Sequence, residues 1–114
     1  MAESVTKTAA SLEYGKSEVE LIEQTLVDFP GSALPRVESC KIALSCRLFD
    51  SHILGDSDQE VIYGQIQHVF VEDSIVTIDE KRITVDATQL DPLARLGGSQ
   101  YSLFGEIKVV KRPR

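Results

Sequence analysis

Val61-Ile62-Tyr63-Gly64-Gln65-Ile66-Gln67-His68-Val69-Phe70-Val71 is a run dominated by β-branched and aromatic residues, the side chains that suit a pleated surface. Upstream, Cys40-Lys41-Ile42-Ala43-Leu44-Ser45-Cys46-Arg47-Leu48 places an apolar residue at every second position, which is the period of a half-buried strand. Alternation along the later run puts Ile62, Ile66, His68 and Phe70 on one face and Val61, Tyr63, Val69 and Val71 on the other. Both faces are then partly apolar, which predicts an interior strand or one passing through a closed barrel. Gly64 marks a bulge or a close approach within it.

Between these strands, Gly55-Asp56-Ser57-Asp58 reads as a loop. After them, Glu72-Asp73-Ser74 is a turn and Ile75-Val76-Thr77-Ile78 a short return strand. Asp91-Pro92 supplies a cap and a first-turn proline, so a short helix is expected over Leu93–Leu96 with Gly97 at its stop. Tyr101 to Val110 reads as a last strand. At the other end, Val5, Ala9 and Leu12 share a helical face. Ser17 and Glu20 form a capping box ahead of a second stripe, Val19, Ile22, Leu26 and Phe29. Pro30-Gly31 ends that stripe, and Pro35 holds the chain extended. Several strands with few helices predict a small, mainly β barrel.

The chain has 114 residues, room for one domain. Its composition, 42% hydrophobic and 26% charged, is that of a globular protein rather than a disordered one. Apolar stretches are far shorter than the ~20 residues a membrane helix needs, and no secretory signal pattern is visible. The net charge of −6 argues against a nucleic-acid partner, because phosphate contacts need lysine and arginine. Lys108, Lys111, Arg112 and Arg114 form the one basic cluster, read as a solvated terminus. Cys40 and Cys46, on one strand face about 20 Å apart, are out of disulfide reach. They are expected to be buried, reduced thiols, which fits a cytoplasmic protein.

Three motifs in order carry a family resemblance: Leu44-Ser45-Cys46-Arg47-Leu48, then Gly64 to Asp73, then Arg95-Leu96-Gly97-Gly98 with Tyr101 and Gly105-Glu106. In this order the chain resembles the C-terminal part of the flavin reductase-like family of FMN-binding split β-barrels, and the leader 1–21 resembles the segment preceding that hairpin. The resemblance implies a partial split β-barrel of Greek-key type with short N-terminal helices. Residues 1–114 would form one domain, a helical leader over 1–36 and barrel strands over 37–112, lacking the family's N-terminal half. It implies an oxidoreductase that binds FMN, or FAD in its place, with NAD(P)H as cosubstrate, and that works as a homodimer. A non-catalytic barrel remnant serving dimerisation or binding is the alternative, favoured by the missing half. No glycine-rich phosphate loop is visible to replace that half.

Candidate site residues follow from the resemblance, each with a plainer reading beside it. Arg95 with Gly97 and Gly98 would serve a flavin: a guanidinium pairs with phosphate and glycines admit a ligand to the backbone. Equally, Gly97 ends a helix and Arg95 is a surface charge. Tyr101 would present its ring beside the flavin, or it is cross-strand packing. His68, the one catalytic candidate, would contact nicotinamide or flavin, or it is a satisfied core imidazole. His52 is read as a solvent-facing histidine, and no metal set or nucleophile triad is present.

Overall fold

The computed structural model describes residues 1–114 and is mainly β, with two short α-helices. The chain divides into two compact units: Gln24–Thr84, and Met1–Glu23 together with Val85–Arg114.

The first unit is built on one long hairpin. Strand β3 (Ile42–Ile53) and strand β4 (Glu60–Val71) pair antiparallel along their whole lengths. The ladder continues past the strands through Glu72 N–H donating to the Lys41 carbonyl at 2.8 Å. Their loop is closed by the Ser57 hydroxyl and backbone, both donating to the Leu54 carbonyl. The unit also holds two small sheets. One pairs β1 (Leu26–Val27) with β2 (Arg36–Val37), and the other pairs β5 (Val76–Asp79) with β6 (Arg82–Val85).

Two register shifts govern the long hairpin. Ser45 faces His68 but Cys46 faces Ile66, which leaves Gln67 as an extra residue on β4; Leu48 faces Gly64 but Asp50 faces Tyr63, which leaves Phe49 extra on β3. Because directly paired residues share a face and neighbours alternate, each bulge reverses the phase of its own strand. One face therefore collects Leu44, Cys46, Leu48 and Ile53 with Ile62, Ile66 and Val69. The other collects Ser45, Arg47, Asp50 and His52 with Tyr63, Gln65, His68 and Phe70. Two contacts across the second face fit this register: Arg47 Nε donates to Gln65 Oε1 at 2.7 Å, and the rings of His52 and Tyr63 stack 5.6 Å apart.

That sorting corrects the alternation read from the sequence. Ile62 and Ile66 lie opposite His68 and Phe70, and Val69 joins the isoleucines. The run is also not an interior strand here, since β4 pairs with β3 alone. Gly64 does mark a close approach: a Cβ there would stand 3.2 Å from the Cys46 Cβ. The cysteines are free, as expected, but Cys40 is half-buried and Cys46 exposed, so neither is a buried thiol. Cys46 falls on the uncovered apolar face, and Cys40 precedes the strand.

A small core sits where the segment 28–36 crosses the second face. Phe29 is buried there; Ile75, at 2% exposure, is the other buried apolar residue of the unit. Phe29 meets the Phe70 ring edge-on at 6.4 Å between centroids. Phe29 therefore belongs to this β unit. The expected helical stripe is present only as a single 3₁₀ turn, Glu18–Leu21, capped by Ser17, whose Oγ accepts from Val19 N–H at 3.3 Å. Beyond it the chain is extended, because Leu26 and Val27 pair with Val37 and Arg36. Pro30-Gly31 turns the chain between those strands. Gly31 has φ +83°, and a Cβ there would lie 2.8–3.1 Å from three atoms of the His68 ring. Gly31→Ala should cost about 1–2 kcal/mol for the left-handed backbone alone and displace the His68 ring. Urea unfolding together with the His68 ring resonances checks both effects.

In the second unit, α1 (Ala2–Lys7) ends before Leu12, and the next helical element is the 3₁₀ turn Glu18–Leu21. The helix α2 (Ala87–Leu90) lies nearer the N-terminus than the expected Leu93–Leu96 and shares no residue with it. Asp86 caps it, its carboxylate accepting from Thr88 and Gln89 N–H at 2.9 and 3.2 Å. Asp91 adopts φ 51° and ends this helix rather than starting one, and Pro92 follows as a stop. Residues Leu93–Leu96 are accordingly not helical; β7 (Ala94–Arg95) pairs with β8 (Tyr101–Ser102) instead. The last strand thus ends at Ser102 and does not run on to Val110.

Candidate functional site

The β7–β8 hairpin brings together the four residues proposed to meet a flavin. Arg95 and Tyr101 are cross-strand partners, and the turn between them carries Gly97 and Gly98. Gly98 has φ +62°, a conformation other residues adopt only with strain. Arg95 is held at two points: Nη1 donates to the Tyr101 hydroxyl at 3.3 Å, and Nη2 to the Gly98 carbonyl at 3.4 Å. Its guanidinium carbon lies 5.7 Å from the Tyr101 ring centroid, within cation–π range. The Tyr101 hydroxyl is also 2.7 Å from Thr6 Oγ1 of α1, so the ring is fixed at its tip.

Beside this hairpin lies a hollow of about 380 Å³ lined by Ala2, Glu3, Thr6, Lys7, Ser99 and Tyr101, within the size range of small-molecule sites. It offers one aromatic ring, a lysine at the end of α1, and open space over Gly97, where an added Cβ would meet nothing within 4 Å. The Tyr101 ring can stack on a planar aromatic ligand and Lys7 can pair with an anionic group on it, with Glu3 as the one opposing charge in the lining.

His68 stands in the other unit. It is exposed rather than a core imidazole, with its ring against Gly31. His52 does have a neighbour, the stacked Tyr63 ring, which a loop reading does not anticipate. Sequence reasoning also missed Arg36. Its guanidinium carbon lies over the Phe70 ring, 3.6 Å from the centroid, and its Nε is buried without a hydrogen-bond partner. Pro35 beside it was the only local signal, and that speaks of backbone direction. No group of three or more histidine, cysteine or acidic residues is arranged to hold a metal ion. No helix is long and apolar enough to cross a membrane.

No family model matches the chain. The Bacillus subtilis protein YwrF is 26% identical over 116 residues, covering 97% of this chain and 55% of that protein. Among solved structures, nitrilotriacetate monooxygenase component B from Bacillus cereus superposes with a TM-score of 0.78 at 25% identity, over 95% of this chain and 54% of its own. A protein from Shewanella frigidimarina assigned as a flavin reductase with a split barrel domain gives 0.80 at 22%, over 97% and 55%. The 2-nitrobenzoate 2-nitroreductase NbaA of Pseudomonas fluorescens gives 0.78 at 24%, over 98% and 54%. The chain spans about half the length of each. Over nearly all of its own length, this chain has the split-barrel fold of flavin reductase-like proteins.

Proposed function

We propose that this chain is part of a flavin reductase-type oxidoreductase that binds FMN and takes its electrons from NAD(P)H. The observation that supports it best is the fold shared with flavin reductase-type proteins over at least 95% of the chain. The assembled Arg95–Tyr101 hairpin adds to it. When bound, the flavin would accept a hydride, and the protein's part is orientation and exclusion of water.

In this reading Tyr101 offers its ring to the flavin plane, held there by Thr6 and Arg95. Arg95 gives positive charge to the flavin's anionic groups while Gly98 anchors the guanidinium. Gly97 leaves the backbone open to ligand approach, and His68 contacts the nicotinamide nucleotide. A homodimer is the working form. FAD in place of FMN, and NADH against NADPH, are choices separated by repeating the binding experiment below with each nucleotide.

Quenching of FMN fluorescence at micromolar protein is the expected result, with Tyr101→Ala weakening binding by about tenfold, the loss of one aromatic contact worth ~1.4 kcal/mol. Absence of quenching by this chain, and by a chain of the relatives' full length, would refute the reading.

A further inference from the structure

We propose that Arg36, stacked on Phe70, and the neighbouring His68 form a phosphate subsite on the polar face of the long hairpin. It shares no residue with the Arg95–Tyr101 hairpin. That the phosphate belongs to a nucleotide rests on the function proposed above; the affinity for phosphate does not.

Three observations converge. Arg36 is half-buried and its guanidinium carbon lies 3.6 Å over the Phe70 ring, which holds the group against that ring. Its Nε is closed off from solvent with no acceptor. A cation that has lost part of its hydration gains more from an anion at its outer nitrogens than a fully hydrated arginine does. Beside it, His68 and Phe70 project from one face two residues apart, which separates them by about 7 Å. Gly31, whose missing side chain makes room for the imidazole, seats His68 against the same 28–36 segment that carries Arg36.

The backbone of residues 28–36 therefore serves both groups. It carries Arg36 onto Phe70, wedges Phe29 against the same ring, and leaves a gap at Gly31 for the imidazole. A fork of guanidinium N–H groups on one side and a ring N–H on the other presents donors from two directions. A tetrahedral phosphoryl group can meet both with separate oxygens, whereas one planar carboxylate meets the fork alone.

The test is a titration of the whole chain followed by ¹⁵N NMR at the Arg36 Nε–H, whose burial slows its exchange with water. Inorganic phosphate should shift this signal and the His68 ring signals together and saturably. Arg36→Met, which keeps an unbranched chain over Phe70, should weaken the His68 response by about tenfold or more, the loss of one charge-assisted hydrogen bond. FMN against riboflavin, and NADH against nicotinamide riboside, then show which nucleotide carries the phosphate. If no flavin or nicotinamide compound binds while inorganic phosphate does, the function proposed above fails and the subsite stands. An unshifted Arg36 signal at tens of millimolar phosphate, or an equal His68 response in Arg36→Met, would overturn the subsite.

Discussion

Ile75→Ala should unfold the hairpin unit under conditions where the parent chain is folded. Ile75 is 2% exposed, and with Phe29 it makes up the buried apolar core. Truncating such a residue costs about 2–5 kcal/mol, the lost transfer energy plus the cavity left behind. A small domain has only about 5–15 kcal/mol in total, and a core of two buried residues leaves little to repack around the void. The urea midpoint, followed through the β3–β4 amide signals, should fall sharply. The same substitution at Ile78, which is 77% exposed, should leave it within roughly 0.5 kcal/mol. Equal effects at the two positions would show that the core lies elsewhere.

The second large effect is self-association. Leu48, Ile53 and Ile62 are 66–67% exposed on one face of the long hairpin, and neither outer edge of β3 or β4 has a strand beside it. Covering three such side chains is worth roughly 5–9 kcal/mol, and unpaired N–H and C=O groups along a strand template further pairing. The chain is therefore expected to run as a dimer in light scattering at micromolar concentration, with Leu48→Lys together with Ile62→Lys shifting it to one chain. A single-chain mass for the parent at every concentration would refute this. Because Leu48, Ile53 and Ile62 lie on one face, the same two lysines on the opposite face, at Ser45 and Gln65, should leave the mass unchanged.

The strands themselves were legible in the sequence, since period 2 and β-branched side chains reflect local backbone preference. Their faces were not. Gln67 and Phe49 obey the same alternation as their neighbours, and only the pairing of the two strands reveals them as extra residues. The segment 86–97 failed for a related reason. An aspartate followed by proline suits a helix start and a helix stop equally, and the earlier cap at Asp86 decides between them. Leu26 and Phe29 have helical spacing, but pairing with β2 and packing on Phe70 outweigh that weak preference. Arg95, Gly97, Gly98 and Tyr101 were singled out from the resemblance, and a single tight hairpin brings them together because they lie within seven residues of one another. Arg36 and Phe70 are far apart in the chain, and nothing short of the fold brings a guanidinium onto that ring.

The two unpaired residues of the long hairpin work together as a phase inverter. One sits on each strand, so the pairing beyond Asp50 and Tyr63 returns to the offset it had before Ser45 and His68. An unbulged ribbon with that same offset would differ in the pairing of only 46–49 with 64–67. Its outer arm would nevertheless be turned over, with Ile62 joining His68 and the greasy surface split between both sides. Removing Gln67 and Phe49 together keeps every remaining partner and every facing, so this double deletion should be silent for sidedness. Removing a paired residue such as Leu44 shifts the phase of everything on one side of it. Tolerance to lost residues along this hairpin is thus set by pairing rather than by exposure, and its two spare positions are where the chain can shorten without changing which side is wet.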